Sequence, residues 1–373
     1  MKHKKVELTE LFYDLVYVYA ISQVTSLIHH VHHGFVTPSA FFTFAMGLII
    51  YVNSWMVQSV YTNRFGKNSL TNILMMFFQM VCLMISSTAI TGDWSRDFIW
   101  FILPMAGISL LLLGQYVLSF YQTKNLADKR LIKQFFYILG IRSAMLLLSA
   151  CLPYQSGLPV ATIGILLTWL LPAFLVSPQT SVINAKVTPI NFPHLIERLS
   201  LLVIITFGEM IIGIADYFMP ENLSVYSFLA FLIVSNLFMI YIVEIDHCIN
   251  DEVTGVTGNK AIYAHYPIFA GLSLVTVSLG FLSNQEAKSG FAFGLMLIGL
   301  LLFMLGLFSH NSYNKSSHYF TRSLVISEFG FLAVTVVLGT FVLGNWHQLM
   351  LLIAIATTVM MVIFVNFNVK RMH

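Results

Sequence analysis

Charge is what this sequence has least of. Asp, Glu, Lys and Arg together supply 9% of its 373 residues, against roughly one-quarter in a soluble globular chain. Apolar residues reach 58%, with a mean hydropathy of +0.82. Too few polar side chains exist to cover a soluble core, so a water-soluble fold is excluded. Cysteine is scarce as well. Cys82, Cys151 and Cys248 have no ligand spacing, which excludes a disulfide framework and a zinc cluster and leaves them as small packing residues. The chain has no GxSxG, HExxH or phosphate-binding loop, so the expectation is a protein that is not an enzyme, is not driven by nucleotide and carries no cofactor. It lacks a basic stripe, which removes nucleic acid as a partner. No small-residue cleavage site follows the first apolar segment, which is therefore expected to be retained as an anchor.

What the chain does have is long apolar runs, and each run of about 20 residues can cross a bilayer. They fall at Leu8–His30, Pro38–Val60, Leu70–Ile90, Phe98–Tyr121, Leu131–Leu152, Leu158–Val176, Leu195–Phe218, Leu223–Cys248, Ile262–Leu282, Phe291–Ser309, Leu324–Leu343 and Gln348–Asn368. The expected fold is an all-α polytopic membrane protein of about twelve transmembrane helices. Of the 19 Lys and Arg residues, sixteen lie on one side under this count, only Arg96 and Lys288 lie on the other, and Arg142 is left inside a span. Because Lys and Arg concentrate in cytoplasmic loops, both termini are expected in the cytoplasm and the protein in the cell membrane. The net charge of +3 reflects the same bias toward the inner leaflet.

The Pro-containing stretch around 178–193 is the natural linker between a first six-helix half, 1–177, and a second, 194–373. An even span count gives both halves one orientation, so any internal repeat is parallel. Aligning Glu10 with Glu197 matches ELFYDLVYVYAIS to ERLSLLVIITFGE at the Glu and at Leu15/Leu202 and Val16/Val203.

Few charged residues enter these runs, and an ionisable group in a span marks function unless it is paired for packing. Glu10 and Asp14 lie four apart on one face of the first span, and Arg64 at the end of the second span reads either as reaching back to them or as an interfacial basic anchor. Gln79 and Gln115 read as interhelical glue or pore lining. Arg142 lies near mid-span and cannot deprotonate, so it needs an anionic partner, an anion or water. Glu209 lies deep in the seventh span between Gly208 and Gly213, which are expected to thin the helix. Arg142 and Glu209 are expected to share one central cavity. Glu328 lies in the eleventh span, and His265, before Pro267, is placed at the interface, with a proton relay as the alternative. At the outer end of the first span, His29 and His33 have the i, i+4 spacing of a weak metal or acid-sensing pair; solvation of the helix mouth is the favoured reading.

ELFYDLVYVYAISQ in the first span, YTNRF after the second, AHYP before the ninth and ERLSLLVIITFGE in the seventh together resemble the bacterial low temperature requirement protein A family over nearly the whole chain. The resemblance implies an integral membrane protein linked to growth in the cold. It singles out Glu10, Asp14, Arg64, Glu197, Arg198, Gly208 and Glu209, and sets Met210 where a small polar residue is expected. The leading expectation is a secondary transporter with proton coupling through Asp14 and Glu209, embedded in the bilayer and acting on an unidentified solute or ion. The alternatives are an ion channel and a non-transporting membrane scaffold. FYDLVYVYAI is similar to the first helix of the lysosomal potassium channels, although the second half has no counterpart and no TVGYG-type filter occurs.

Overall fold

The computed structural model describes residues 4–91, 94–175, 187–250, 252–253, 255–284 and 287–371. Among these there are twelve long α-helices and no strand. They are α1 (Leu8–Ser26), α2 (Pro38–Arg64), α3 (Leu70–Thr88), α4 (Trp94–Gln122), α5 (Leu126–Ala150), α6 (Tyr154–Leu175), α7 (Phe192–Gly213), α8 (Val225–Ile242), α9 (Asn259–Asn284), α10 (Ser289–Phe308), α11 (Arg322–Val342) and α12 (Trp346–Val369). Eleven are long and apolar enough to cross a membrane. The other, α7, carries Glu197, Arg198 and Glu209. The protein is an all-helical, polytopic membrane protein.

Helix ends follow local chemistry. Pro38 opens α2, where its missing N–H costs nothing. Ser69, Asn125, Thr321 and Asn345 cap α3, α5, α11 and α12 by accepting first-turn backbone N–H groups. The Asn125 cap carries α5 past its apolar stretch, to Leu126 rather than Leu131; α9 starts at Asn259 and encloses Pro267.

The chain divides into two compact units. The first comprises 1–27, 39–198 and 252–259, and so holds α1 to α6 and the start of α7; α2 is its most enclosed helix. Within it, Gly47 lets α2 approach α1 closely, since a Cβ there would meet Val24 Cγ2 at 2.9 Å. The second comprises 28–38, 199–251 and 260–373, and α9 is its most enclosed helix. There α9 and α10 meet backbone to backbone. A Cβ on Gly271 would come within 2.6 Å of the Gly299 carbonyl, and one on Gly306 within 2.6 Å of the Ala264 carbonyl. Small residues at such crossings replace the hydrophobic drive that lipid removes. The linker expected at 178–193 lies outside the described residues up to 186.

Candidate functional site

Glu10 and Asp14 are buried in the first unit, at 2% and 0% exposure. Their spacing sets both on the face of α1 turned toward the polar residues of α2 and the start of α7. Arg198 reaches Asp14: its Nη2 donates to Asp14 Oδ1, which also accepts from Trp55 Nε1 of α2 at 2.6 Å. The guanidinium lies over the Trp55 ring, 5.1 Å from its centroid, and its Nε is 3.6 Å from Glu10 Oε2. One arginine thus serves two carboxylates, with an aromatic face screening it from water.

His194, one turn before Arg198 on α7, completes the cluster. Its tautomer follows from its neighbours. Asn63 Oδ1 accepts the backbone N–H of Asn191 at 2.8 Å, which turns the Asn63 amide N–H toward His194 Nδ1 at 3.0 Å. With Nδ1 accepting, Nε2 carries the hydrogen and donates to Glu10 Oε2 at 3.1 Å. His194 is therefore neutral in this arrangement. Several polar atoms keep open valences here: Asp14 Oδ2 and Arg198 Nη1 and Nε are buried without a hydrogen-bond partner.

Glu10 also lines a partly open cavity of about 40 Å³ at the end of the helices where α1 begins, bordered by Lys4, Gln58, Thr62, Asn72 and Gln115. By volume it has room for about three waters. Lys4 lies at its mouth, where its ammonium donates to the carbonyls of Thr62 and Gly66 at the end of α2 and acts electrostatically on Glu10. Burial lowers the Lys4 pKa from the ordinary lysine value, with the nearby acids opposing the shift. Behind the cavity, Tyr13 donates to Gln79 Oε1 at 2.6 Å, and Gln79 Nε2 reaches Gln58 Oε1 at 3.2 Å and Gln115 Oε1 at 3.1 Å. These glutamines tie α1, α2, α3 and α4 together.

The other sequence candidates are placed differently. Arg64 does not reach Glu10 or Asp14. It donates to the Thr188 carbonyl, while Asp128 accepts the Thr188 N–H and hydroxyl, so Arg64 and Asp128 together fasten the chain leading into α7. Arg142 is 1% exposed and donates to Ser109, Asn53 and Ser54, three neutral oxygens that share the work expected of an anion. Glu197 and Glu209 are half-buried, and Glu209 belongs to the second unit. Gly208 is exposed, and a Cβ on it would meet nothing within 4 Å; close approach occurs at Gly213, where it would lie 2.6 Å from Thr276 Cγ2. Glu328 is 1% exposed, with neither carboxylate oxygen hydrogen-bonded. His265 lies in the second turn of α9. It is fully buried, with Nδ1 on the Ala261 carbonyl at 2.8 Å and Nε2 on the Tyr241 hydroxyl at 3.1 Å.

The His29–His33 pairing fails because α1 stops at Ser26, a 3₁₀ turn follows and His33 takes φ 54°, so the i, i+4 register is lost. Among the described residues no group of three His, Cys, Asp or Glu side chains comes together to hold a metal.

His194, Trp55, Asn63 and Lys4 were not singled out from sequence. The one signal for His194 is its i, i+4 spacing with Arg198, which places both on the same face of α7.

The sequence model of bacterial low temperature requirement A protein matches residues 5–365, a range that contains the whole cluster apart from Lys4. No curated protein matches the chain.

Proposed function

Because the chain belongs to the bacterial low temperature requirement A family, we propose that it is a secondary transporter of the cell membrane that moves a small polar solute or ion together with protons. The observation that supports this most is a charge count. Two buried carboxylates, Glu10 and Asp14, face one guanidinium, and the neighbouring histidine is held neutral. A dry site does not tolerate an uncompensated charge. The second negative charge is met either by Lys4 across the cavity or by a proton held by the Glu10–Asp14 pair as a unit. Glu10 lines the cavity and is the point of entry. The unpartnered Asp14 Oδ2 and Arg198 Nη1 offer an acceptor and a donor to a polar solute or its water.

With sixteen of the Lys and Arg residues on the side of the termini, that cavity opens to the cytoplasm and α7 is the twelfth span. Two parallel halves, 1–177 and 194–373, suit alternating access. The bilayer is the protein's medium, and neither nucleic acid nor enzymatic chemistry enters the reading.

The test uses proteoliposomes loaded with a pH dye and challenged in turn with alkali cations, amino acids and organic acids. Saturable proton movement dependent on one of these, abolished by Glu10→Gln, is the expected result. A steady proton or cation current independent of solute supports a channel instead, and no movement with any solute argues for a scaffold.

A further inference from the structure

A further buried acid, in addition to Glu328, lies in the second unit. Glu244 is fully buried in the π-helical turn Val243–Cys248 that ends the helix begun by α8. Such widened turns recur at functional sites because they re-aim side chains that an α-helix would keep in register. Here the turn directs Glu244 toward Asn314, from the short turns that follow α10. Asn314 Nδ2 donates to Glu244 Oε2 at 3.4 Å and to the His318 carbonyl at 3.3 Å, and Asn314 is itself 4% exposed. The backbone fastens the two segments. The Lys315 N–H donates to the Cys248 carbonyl at 2.8 Å, and the Asn250 N–H to the Tyr313 carbonyl at 2.9 Å.

Two acceptors in this enclosure are left over: Glu244 Oε1 and Asn314 Oδ1 are buried and have no hydrogen-bond partner. Asn314 reaches Glu244 through its amide nitrogen, so the carboxylate gains a donor there but no opposing charge. The charged and titratable neighbours do not neutralise Glu244. The Cys248 thiol is a weak hydrogen-bond donor to the carboxylate, with no charge to offset it, and also lies 4.0 Å from Asn368 Oδ1 of α12. Lys315 and Arg371 are half-buried and turned to the carbonyls of His247 and Ser317. Asp246 and His247 are exposed, His318 engages Ser317 through Nδ1, and Tyr241 is committed to His265.

We infer that Glu244, Asn314 and Cys248 form a proton-binding site in the second unit, distinct from the Glu10–Asp14 pair. A hydrogen on Glu244 Oε1 removes the buried charge and turns an orphaned acceptor into a donor. A divalent ion would leave a positive charge over, with one carboxylate to oppose it. The inference does not depend on transport.

The test is infrared difference spectroscopy of the full chain in lipid nanodiscs, between neutral and alkaline buffer. The wild type shows loss of the carbonyl stretch of a protonated carboxylic acid. Glu244→Gln, which copies the neutral acid in shape, lacks that component, whereas Glu10→Gln keeps it, so this result stands apart from the fate of the transport reading. If Glu244→Gln does not fold, Asn314→Leu decides, because removing the amide that donates to Glu244 Oε2 must shift the same band. An unchanged spectrum in either variant overturns the inference. So does loss of the band on adding Na⁺ or K⁺ at fixed pH, which would make a metal cation the occupant.

Discussion

Replacing Arg198 with Met strips the only guanidinium from two acids that are 2% and 0% exposed. Asp14 Oδ1 keeps only the Trp55 indole, Glu10 keeps only the neutral His194, and the stacking of Arg198 on Trp55 is lost as well. Breaking a buried pair from one side costs about 3–5 kcal/mol, because the partner's charge stays in place unpaired. Adding Asp14→Asn removes the stranded charge, leaving Glu10 with His194 and Lys4. The double variant is therefore expected to lose about 2 kcal/mol less than the sum of the two single losses, within the range of measured couplings between contacting residues. The assay is reversible unfolding in mixed micelles, followed by tryptophan fluorescence, with the exposed Arg322 changed to Met as a control. Losses that add to within about 0.5 kcal/mol, or an Arg198→Met loss no greater than the control's, would refute the shared-charge account.

Gly299→Ala forces a methyl against the Gly271 carbonyl at 2.8 Å and should cost about 1–3 kcal/mol, whereas Gly294→Ala, with nothing within 4 Å, should leave the thermal midpoint unchanged or slightly raised. Gln79→Leu strands the two glutamine oxygens that Gln79 serves and leaves the Tyr13 hydroxyl with Tyr17 alone, and a loss of about 1–3 kcal/mol per stranded group sets the scale for the same unfolding assay. Single cysteines at Gln155 and Trp346 should react with an impermeant thiol reagent from outside intact cells and one at Ser312 should not; the reverse pattern overturns the cytoplasmic termini. Burial lowers the folded-state Lys4 pKa from the ordinary 10.5, so between the folded and unfolded values the unfolded chain holds more protons. Stability should therefore rise with pH across that alkaline window, and Lys4→Gln should flatten the rise in a pH series of melting curves.

Helix existence was legible because lipid demands long apolar runs; the expected Leu70–Ile90 and the observed Leu70–Thr88 nearly coincide. Ends were less so, since Leu126–Arg130 is polar yet helical, continuing α5 beyond its apolar part under the Asn125 cap. Glu10 and Asp14 stood out as acids in an apolar segment. Their cation did not, because sequence gives depth along a helix but not the direction in which it faces a neighbour. Arg64 has a suitable depth and turns to Thr188, while Arg198 arrives from 184 residues downstream. Residue type alone also could not show that Gly208 is open while Gly213 is crowded, nor that a π-helical turn would draw Glu244 inward.

The residues that make α7 a poor membrane helix by composition are the ones that make sense of α1. An arginine or aspartate at the centre of a span opposes insertion by about 2.5–3.5 kcal/mol on translocon scales, and α7 carries Glu197, Arg198 and Glu209 while α1 carries Glu10 and Asp14. Taken singly, both helices carry this liability. Taken together, Arg198 and Asp14 cancel one charge of each sign, His194 donates to Glu10, and Trp55 and Asn63 supply the surrounding hydrogen bonds from α2. The charges of α7 and α1 are thus met by the same contacts that hold the site together. What is left after that cancellation is one carboxylate more than the guanidinium can neutralise, beside a cavity. That excess is what the proposed proton uptake rests on, and Lys4 across the cavity is the other group that can meet it.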